Sequence, residues 1–164
     1  MSLGPDGAKG GARINIIEVK NRTPALVQSL LNVWEGSVRA THLFLSESEI
    51  ARLREYVPQA LLAVESLVVA QDGGAPAAFM GVEGGSLEML FVAPQERGKG
   101  LGRRLLRYGI DRLGVNRLAV NEQNPQARGF YERMGFRVCR RTELDGQGYP
   151  YPLLYMELSS RSGT

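Results

Sequence analysis

Apolar and polar positions along the chain fall into stretches of strand and helix period. Ile14, Ile16, Ile17 and Val19 predict a first strand over residues 13–19. Thr23-Pro24 then reads as a helix start. Threonine suits the N-cap, and proline suits the first helical position because its missing N–H would have no partner there. Leu26, Leu30, Trp34 and Val38 recur at four-residue spacing and give that helix one apolar stripe. Ser46, with Glu49 three residues on, predicts a reciprocal capping box. Ile50, Leu53, Val57 and Leu61 form the stripe of the helix it opens, and Pro58 is where that helix is expected to bend or end.

Residues 67–70 and 77–82 read as two strands around the turn Asp72-Gly73-Gly74. Gly84-Gly85 is a second turn, and residues 87–92 are the next strand; turns this short imply an antiparallel meander. Residues 94–99 form a loop. Residues 100–113 form a helix carrying Leu101, Leu105, Leu106, Ile110 and Leu113, closed by Gly114. A strand over 117–121 follows, then a helix opened by Asn124-Pro125 and closed by Gly135. Residues 136–143 and 153–158 are the last two strands, separated by a turn-rich loop over 145–152. Meander and strand–helix–strand units together make an α+β sheet covered on both faces.

Composition narrows the class. A chain of 164 residues fits one domain with its own core, and 43% apolar with 23% charged residues is ordinary soluble usage. Residues 1–12 are glycine-rich without apolar period and read as a disordered tail, leaving 13–160 as the domain. The net charge of +3 suits a small anionic ligand and requires no nucleic acid. Arg97, Lys99, Arg103, Arg104 and Arg107 gather in one stretch, as a local anion site would have them. One cysteine, Cys139, excludes an intrachain disulfide and reads as a structural, buried thiol. One histidine and one cysteine provide no metal-ligand cluster. With no secretory leader pattern and no run of membrane-spanning length, the expectation is a cytoplasmic protein with no metal and no membrane partner.

Residues 95–102, Gln-Glu-Arg-Gly-Lys-Gly-Leu-Gly, carry the candidate chemistry. Gly98, Gly100 and Gly102 lack Cβ atoms, so their amides can approach an anion in conformations other residues avoid. The helix beginning there adds unpaired N–H groups and a positive dipole end, and Arg97, Lys99 and Arg103 add charge. The stretch describes a pyrophosphate cradle, although glycines before a helix also serve as a plain turn. A Rossmann site asks for other glycine spacing and an acidic residue about 20 positions on. Here the glycines alternate strictly and the next strand ends in Asn121. A Walker loop asks for serine or threonine after Gly-Lys, where this chain has Gly100.

Gln-x-x-Gly-x-Gly between a strand and a helix resembles the acetyl-CoA-binding motif of the GNAT N-acetyltransferases. Asn124-Pro-Gln-Ala127-Arg-Gly-Phe130-Tyr131 followed by Gly135-Phe136 looks like that family's second motif, in the family's order. Residues 34–45 and 149–154 look like the YjaB-type members. The resemblance implies the GNAT fold, a mixed and mostly antiparallel sheet of about seven strands with four helices on both faces. It implies acetyl-CoA as donor and direct attack by a primary amine in a ternary complex. The backbone of Leu90, Phe91 and Val92 would pair with the pantetheine arm, and an N–H there would polarise the thioester carbonyl. Gly98, Lys99, Gly100, Leu101 and Gly102, flanked by Arg97 and Arg103, would hold the pyrophosphate. Asn124 and Asn121 would contact pantetheine, and Tyr131 would donate to the departing sulfur.

The attacking amine must also lose a proton. Glu88 is a candidate base because it shares the strand of the pantetheine contacts, where apolar neighbours would raise its pKa; a solvated strand residue is the plainer reading. His42 titrates in the right range, with capping or packing as its plainer role. His42, Phe44, Tyr149 and Tyr151 are the candidate acceptor-site residues. The acceptor stays open between small molecules and peptides, and so does a homodimer through edge strands. A non-catalytic acyl-CoA sensor is the alternative class.

Overall fold

The computed structural model describes residues 14–159; the stretch read as a tail, and Arg13, lie outside the described residues. The order is β1 (Ile14–Glu18), α1 (Pro24–Thr41), α2 (Glu47–Ala63), β2 (Ser66–Asp72), β3 (Ala75–Glu83), β4 (Ser86–Val92), α3 (Leu101–Leu113), β5 (Arg117–Asn121), α4 (Pro125–Arg133), β6 (Phe136–Thr142) and β7 (Leu153–Leu158), with a 3-10 turn at Pro94–Glu96. The strands form one seven-stranded sheet in the order β1-β2-β3-β4-β5-β7-β6. All neighbours are antiparallel except β4 and β5.

Local chemistry sets the boundaries. Thr23 accepts from the Leu26 N–H, and Ser46 and Glu49 form both halves of the capping box. Gly73 and Gly74 have φ of 62° and 94°, and Gly84 and Gly85 have φ of 52° and 87°. Positive φ at both central residues is what a tight hairpin turn of matching twist needs. The strands therefore run right up to each glycine pair and are longer than the apolar runs alone predict.

Pro58 does not end α2, which continues to Ala63. The carbonyls at and beyond its C-terminal end have an outside partner. The Arg22 guanidinium donates to the carbonyls of Leu61 (2.9 Å), Leu62 (3.1 Å), Val64 (2.6 Å) and Glu65 (3.2 Å).

Helices cover both sheet faces. On one side Leu30, Trp34, Val38, Val57 and Leu61 pack with Leu67, Val69 and Phe79. On the other, Leu101, Leu105 and Leu106 pack with Val68, Ala70, Met80, Leu118 and Met156. Successive β2 side chains thus enter different cores, which is why this central strand reads as an unbroken apolar run.

Two β-bulges matter. The β3–β4 register passes from Gly81↔Met89 to Val82↔Leu87, leaving Glu88 as the extra residue. The β6–β7 register passes from Val138↔Met156 to Arg140↔Tyr155, leaving Cys139 extra on an edge strand. Cys139 is exposed, against the expectation of a buried thiol: Phe136 and Val138 face the core, so Cys139 falls with Arg137 on the outer face of this edge strand. Among the described residues no helix is long and apolar enough to cross a membrane.

Candidate functional site

β4 and β5 pair only at Ser86↔Arg117 and Leu87↔Leu118. Beyond that the strands part, while β4 stays paired with β3 through Ala78↔Val92. Ala93 donates its N–H to the Ala77 carbonyl of β3 at 2.9 Å. Strand alternation then points the Leu90 and Val92 amides into the gap and the Phe91 amide toward β3.

The gap opens into a cavity of about 550 Å³, walled by Leu90, Phe91 and Val92, by Arg97, Gly98, Gly100, Leu101, Gly102 and Arg103, and by the start of α4 from Asn124 to Tyr131. Ser37, Thr41 and His42, at the end of α1, close it on the other side. Gly100 is the N-cap of α3, left-handed at φ 79° and ψ 14°, and no side chain caps this helix. Its first N–H groups are therefore unpaired within the helix. Gly98 has φ 84°, and a Cβ added at Gly98 or Gly100 would stand in open space. Gly102 differs: its φ is not positive, and an added Cβ would meet Phe130 at 3.6 Å and Val92 at 3.8 Å, ordinary contacts. Two alternating left-handed glycines before an uncapped helix, flanked by Arg97 and Arg103, make a concave set of N–H donors for an anion.

Lys99 is not in the cavity wall; its ammonium pairs with Glu96 at 2.9 Å, which raises its pKa. Asn124 lines the cavity while its Oδ1 accepts from the Ala127 N–H at 3.2 Å, the N-cap bond of α4. Asn121 is not in the cavity wall, and its buried Oδ1 has no hydrogen-bond partner among the described residues. Such an orphaned buried acceptor is costly.

Tyr131 sits where α4 crosses the cavity, its ring edge-on to Phe130 (5.2 Å) and Phe136 (6.1 Å). Burial pushes its phenol above the ordinary value of 10.0, so the hydroxyl keeps its proton at and above neutral pH. Glu88 is exposed, accepts from the Ser86 hydroxyl at 2.7 Å and is not in the cavity wall. The apolar surroundings expected for it are missing because the bulge turns it outward.

His42 is the acceptor-side candidate that reaches the cavity. Phe44 and Tyr151 lie behind it in a chain of rings, His42 to Phe44 at 5.5 Å and Phe44 to Tyr151 at 5.7 Å. Tyr149 is exposed, with the Arg52 guanidinium 4.0 Å above its ring. These contacts tie the loop before β7 to the α1–α2 junction. Ser37 and Thr41 were not foreseen. Their signal was in the sequence: they continue the Leu30–Trp34 face of α1 with polar residues, and Ser37 is buried there.

A model of the family described as Acetyltransferase (GNAT) domain matches residues 41–158. The peptidyl-lysine N-acetyltransferase YjaB of Salmonella typhimurium is 41% identical over 127 residues, covering 77% of this chain and 88% of that protein. Its Escherichia coli namesake is 36% identical over 139 residues, covering 85% and 95%. The solution structure of the apo form of Escherichia coli YjaB superposes with a TM-score of 0.79 at 36% identity, over 90% of this chain and 98% of that one. A Thermoplasma acidophilum PaiA N-acetyltransferase in complex with coenzyme A shares the fold, with a TM-score of 0.69 at 21% identity, over 89% and 99%.

Proposed function

The chain belongs to the GNAT family of acetyltransferases, and on that footing we propose that it moves an acetyl group from acetyl-CoA to the side-chain amine of a lysine in a peptide or protein. The observation that carries the donor half is the meeting, in one cavity, of the unpaired β4 segment, the left-handed glycines before α3, and Tyr131. The acceptor half is supported by the two relatives at 41% and 36% identity, both named as peptidyl-lysine N-acetyltransferases.

Each group has a part. The N–H donors around Gly98, Gly100 and Leu101, with Arg97 and Arg103, hold the pyrophosphate. The Leu90 and Val92 amides receive the pantetheine arm as an added strand, and one of them polarises the thioester carbonyl. Asn121 takes no part, since it is not in the cavity wall and its Oδ1 is buried. Acetyl-CoA supplies a thioester whose carbonyl carbon is open to attack. Tyr131, held protonated, gives its proton to the sulfur as the carbon–sulfur bond breaks. Lys99 and Glu88 are left out of these roles, since neither reaches the cavity. A cytoplasmic site of action is part of the same proposal.

The test is release of CoA thiol from acetyl-CoA in the presence of lysine peptides, with a polyamine, an aminoglycoside and α-amine peptides as competing acceptors. Lysine peptides should be acetylated at the side chain faster than the others. Tight CoA binding with no turnover on any amine would overturn the enzymatic reading in favour of a sensor. Preference for a small amine would overturn the acceptor class.

A further inference from the structure

We propose that His42 is the general base of this transfer, acting through Nε2, and that Thr41 is the positioning residue that holds its imidazole in the Nδ1–H tautomer. The inference rests on the lysine-acetylation reading above and adds the group that takes the amine proton.

The tautomer follows from counting hydrogens. The Thr41 hydroxyl lies 2.7 Å from the Ser37 carbonyl oxygen and 2.8 Å from His42 Nδ1. A carbonyl oxygen only accepts, so the single hydroxyl hydrogen goes to Ser37. The contact to His42 is then attractive only if Nδ1 carries a hydrogen and donates it to Thr41. The opposite assignment would leave two oxygen acceptors facing each other at 2.7 Å with nothing between them. A neutral imidazole with its hydrogen on Nδ1 has its lone pair on Nε2. Phe44, 5.5 Å away and tilted by 47°, limits how the ring can turn.

The other titratable groups of the wall do not compete. Glu96, on the 3-10 turn, is ion-paired with Lys99. Arg97, Arg103 on α3 and Arg133 on α4 are cations. Tyr131 keeps its proton. Among the described wall residues, His42 alone pairs a basic lone pair with neutrality near pH 7; burial, holding its pKa below the ordinary value, supports that state.

The step balances. A lysine ammonium gives one proton to His42 Nε2. The freed nitrogen forms the bond to the acetyl carbon, and the carbon–sulfur bond breaks. The sulfur takes the Tyr131 proton, the second nitrogen proton refills Tyr131, and His42 passes its proton to solvent.

Because the chain has one histidine, its imidazole nitrogens can be read without assignment by long-range ¹H–¹⁵N correlation on uniformly labelled, tag-free full-length protein. At pH 8 the spectrum should show Nδ1 protonated and Nε2 bare, and Thr41→Val should shift it toward the other tautomer. A wild-type spectrum with Nε2 protonated would overturn the Thr41 lock whatever the activity. In kinetics with acetyl-CoA and a lysine peptide, His42→Gln should lose about 10²-fold or more in kcat, with acetyl-CoA affinity unchanged by calorimetry. Thr41→Val should lose kcat with KM steady, and Thr41→Ser should restore it. His42→Gln within threefold of wild type would overturn the base while leaving lysine acetylation standing. No transfer by wild type to any lysine peptide would instead overturn the reading beneath both.

Discussion

Leu87 on β4 and Leu118 on β5 form the last register pair between those two parallel strands. Everything distinctive about the cavity begins one step beyond it. Both leucines are buried in the core beneath α3, so the pairing is pinned there. Past it, β4 keeps its bonds to β3 and leaves its other edge free. A free edge inside a fold is ordinarily a liability; here it lies in a cavity where an amide-bearing ligand can complete it.

Gly100→Glu should abolish measurable CoA binding or weaken it at least about tenfold. The residue adopts φ 79°, lines the cavity, and an added Cβ there stands in open space. The left-handed backbone adds strain of about 1–2 kcal/mol, and the carboxylate repels the pyrophosphate. Calorimetry with CoA checks this, and unchanged affinity would remove the α3 N-terminus from the donor site.

Tyr131→Phe keeps the ring contacts to Phe130 and Phe136 and removes only the hydroxyl. We expect kcat to fall about 10²-fold while acetyl-CoA affinity holds. Stopped-flow thiol release against calorimetry separates the two, and a fully active variant would assign sulfur protonation to water.

Arg22→Ala should destabilise the domain by about 1–3 kcal/mol, the range for buried carbonyls losing a charged donor. Its guanidinium serves Leu61 and Val64 at 2.9 and 2.6 Å, both partly buried. Arg22→Lys should recover little, because a single ammonium cannot span carbonyls so spread. Urea denaturation measures both.

Gly109→Val should cost about 1–3 kcal/mol by overpacking. A Cβ at Gly109 already comes within 3.0 Å of Val115 Cγ2 and 3.1 Å of Met80 Sδ, where α3 lies on the sheet. A denaturation midpoint equal to wild type would show that this contact can relax.

Acidification gives an independent view of His42. Burial holds its pKa below 6.5, so the unfolded chain binds a proton that the folded chain resists. Stability from this source is complete above the unfolded value and declines as pH falls from about 6.5 through the lower folded value. The stability difference between wild type and His42→Gln should therefore shrink in wild type's disfavour over that range. Glu35, Glu47 and Glu122, lowered by arginine partners, lose their contributions only as pH falls from 4.5, and they do so in both proteins. A pH-independent difference would contradict the burial of His42.

Much of this architecture was legible in the sequence because it is written in local rules. Thr23-Pro24, Ser46 with Glu49, and Asn124-Pro125 mark helix starts through hydrogen bonds that span three residues. The glycine pairs at 73–74 and 84–85 mark hairpins through backbone conformations other residues avoid. Asn124 and Tyr131 of the second motif both line the wall, one as the N-cap of a short helix and the other on it.

The acceptor side was much less legible. Glu88 and Cys139 each occupy a bulge, and a bulge exists only in the register between two strands. Apolar neighbours in sequence, for Glu88, and the usual burial of a free cysteine, for Cys139, therefore pointed to the wrong surroundings. Lys99 sits among cavity residues in the sequence, but its ammonium pairs with Glu96 and the residue itself is not in the cavity wall.

The sequence by itself was enough for the order of elements, the helix caps, the glycine cradle and the family, since each depends on residues close together along the chain. The folded structure was needed to part β4 from β5 after Leu87, to leave Asn121 Oδ1 without a partner and to bring the end of α1 against the cavity. Those features join segments dozens of residues apart. Their geometry comes from two cores packing on opposite faces of one sheet, which no local pattern encodes.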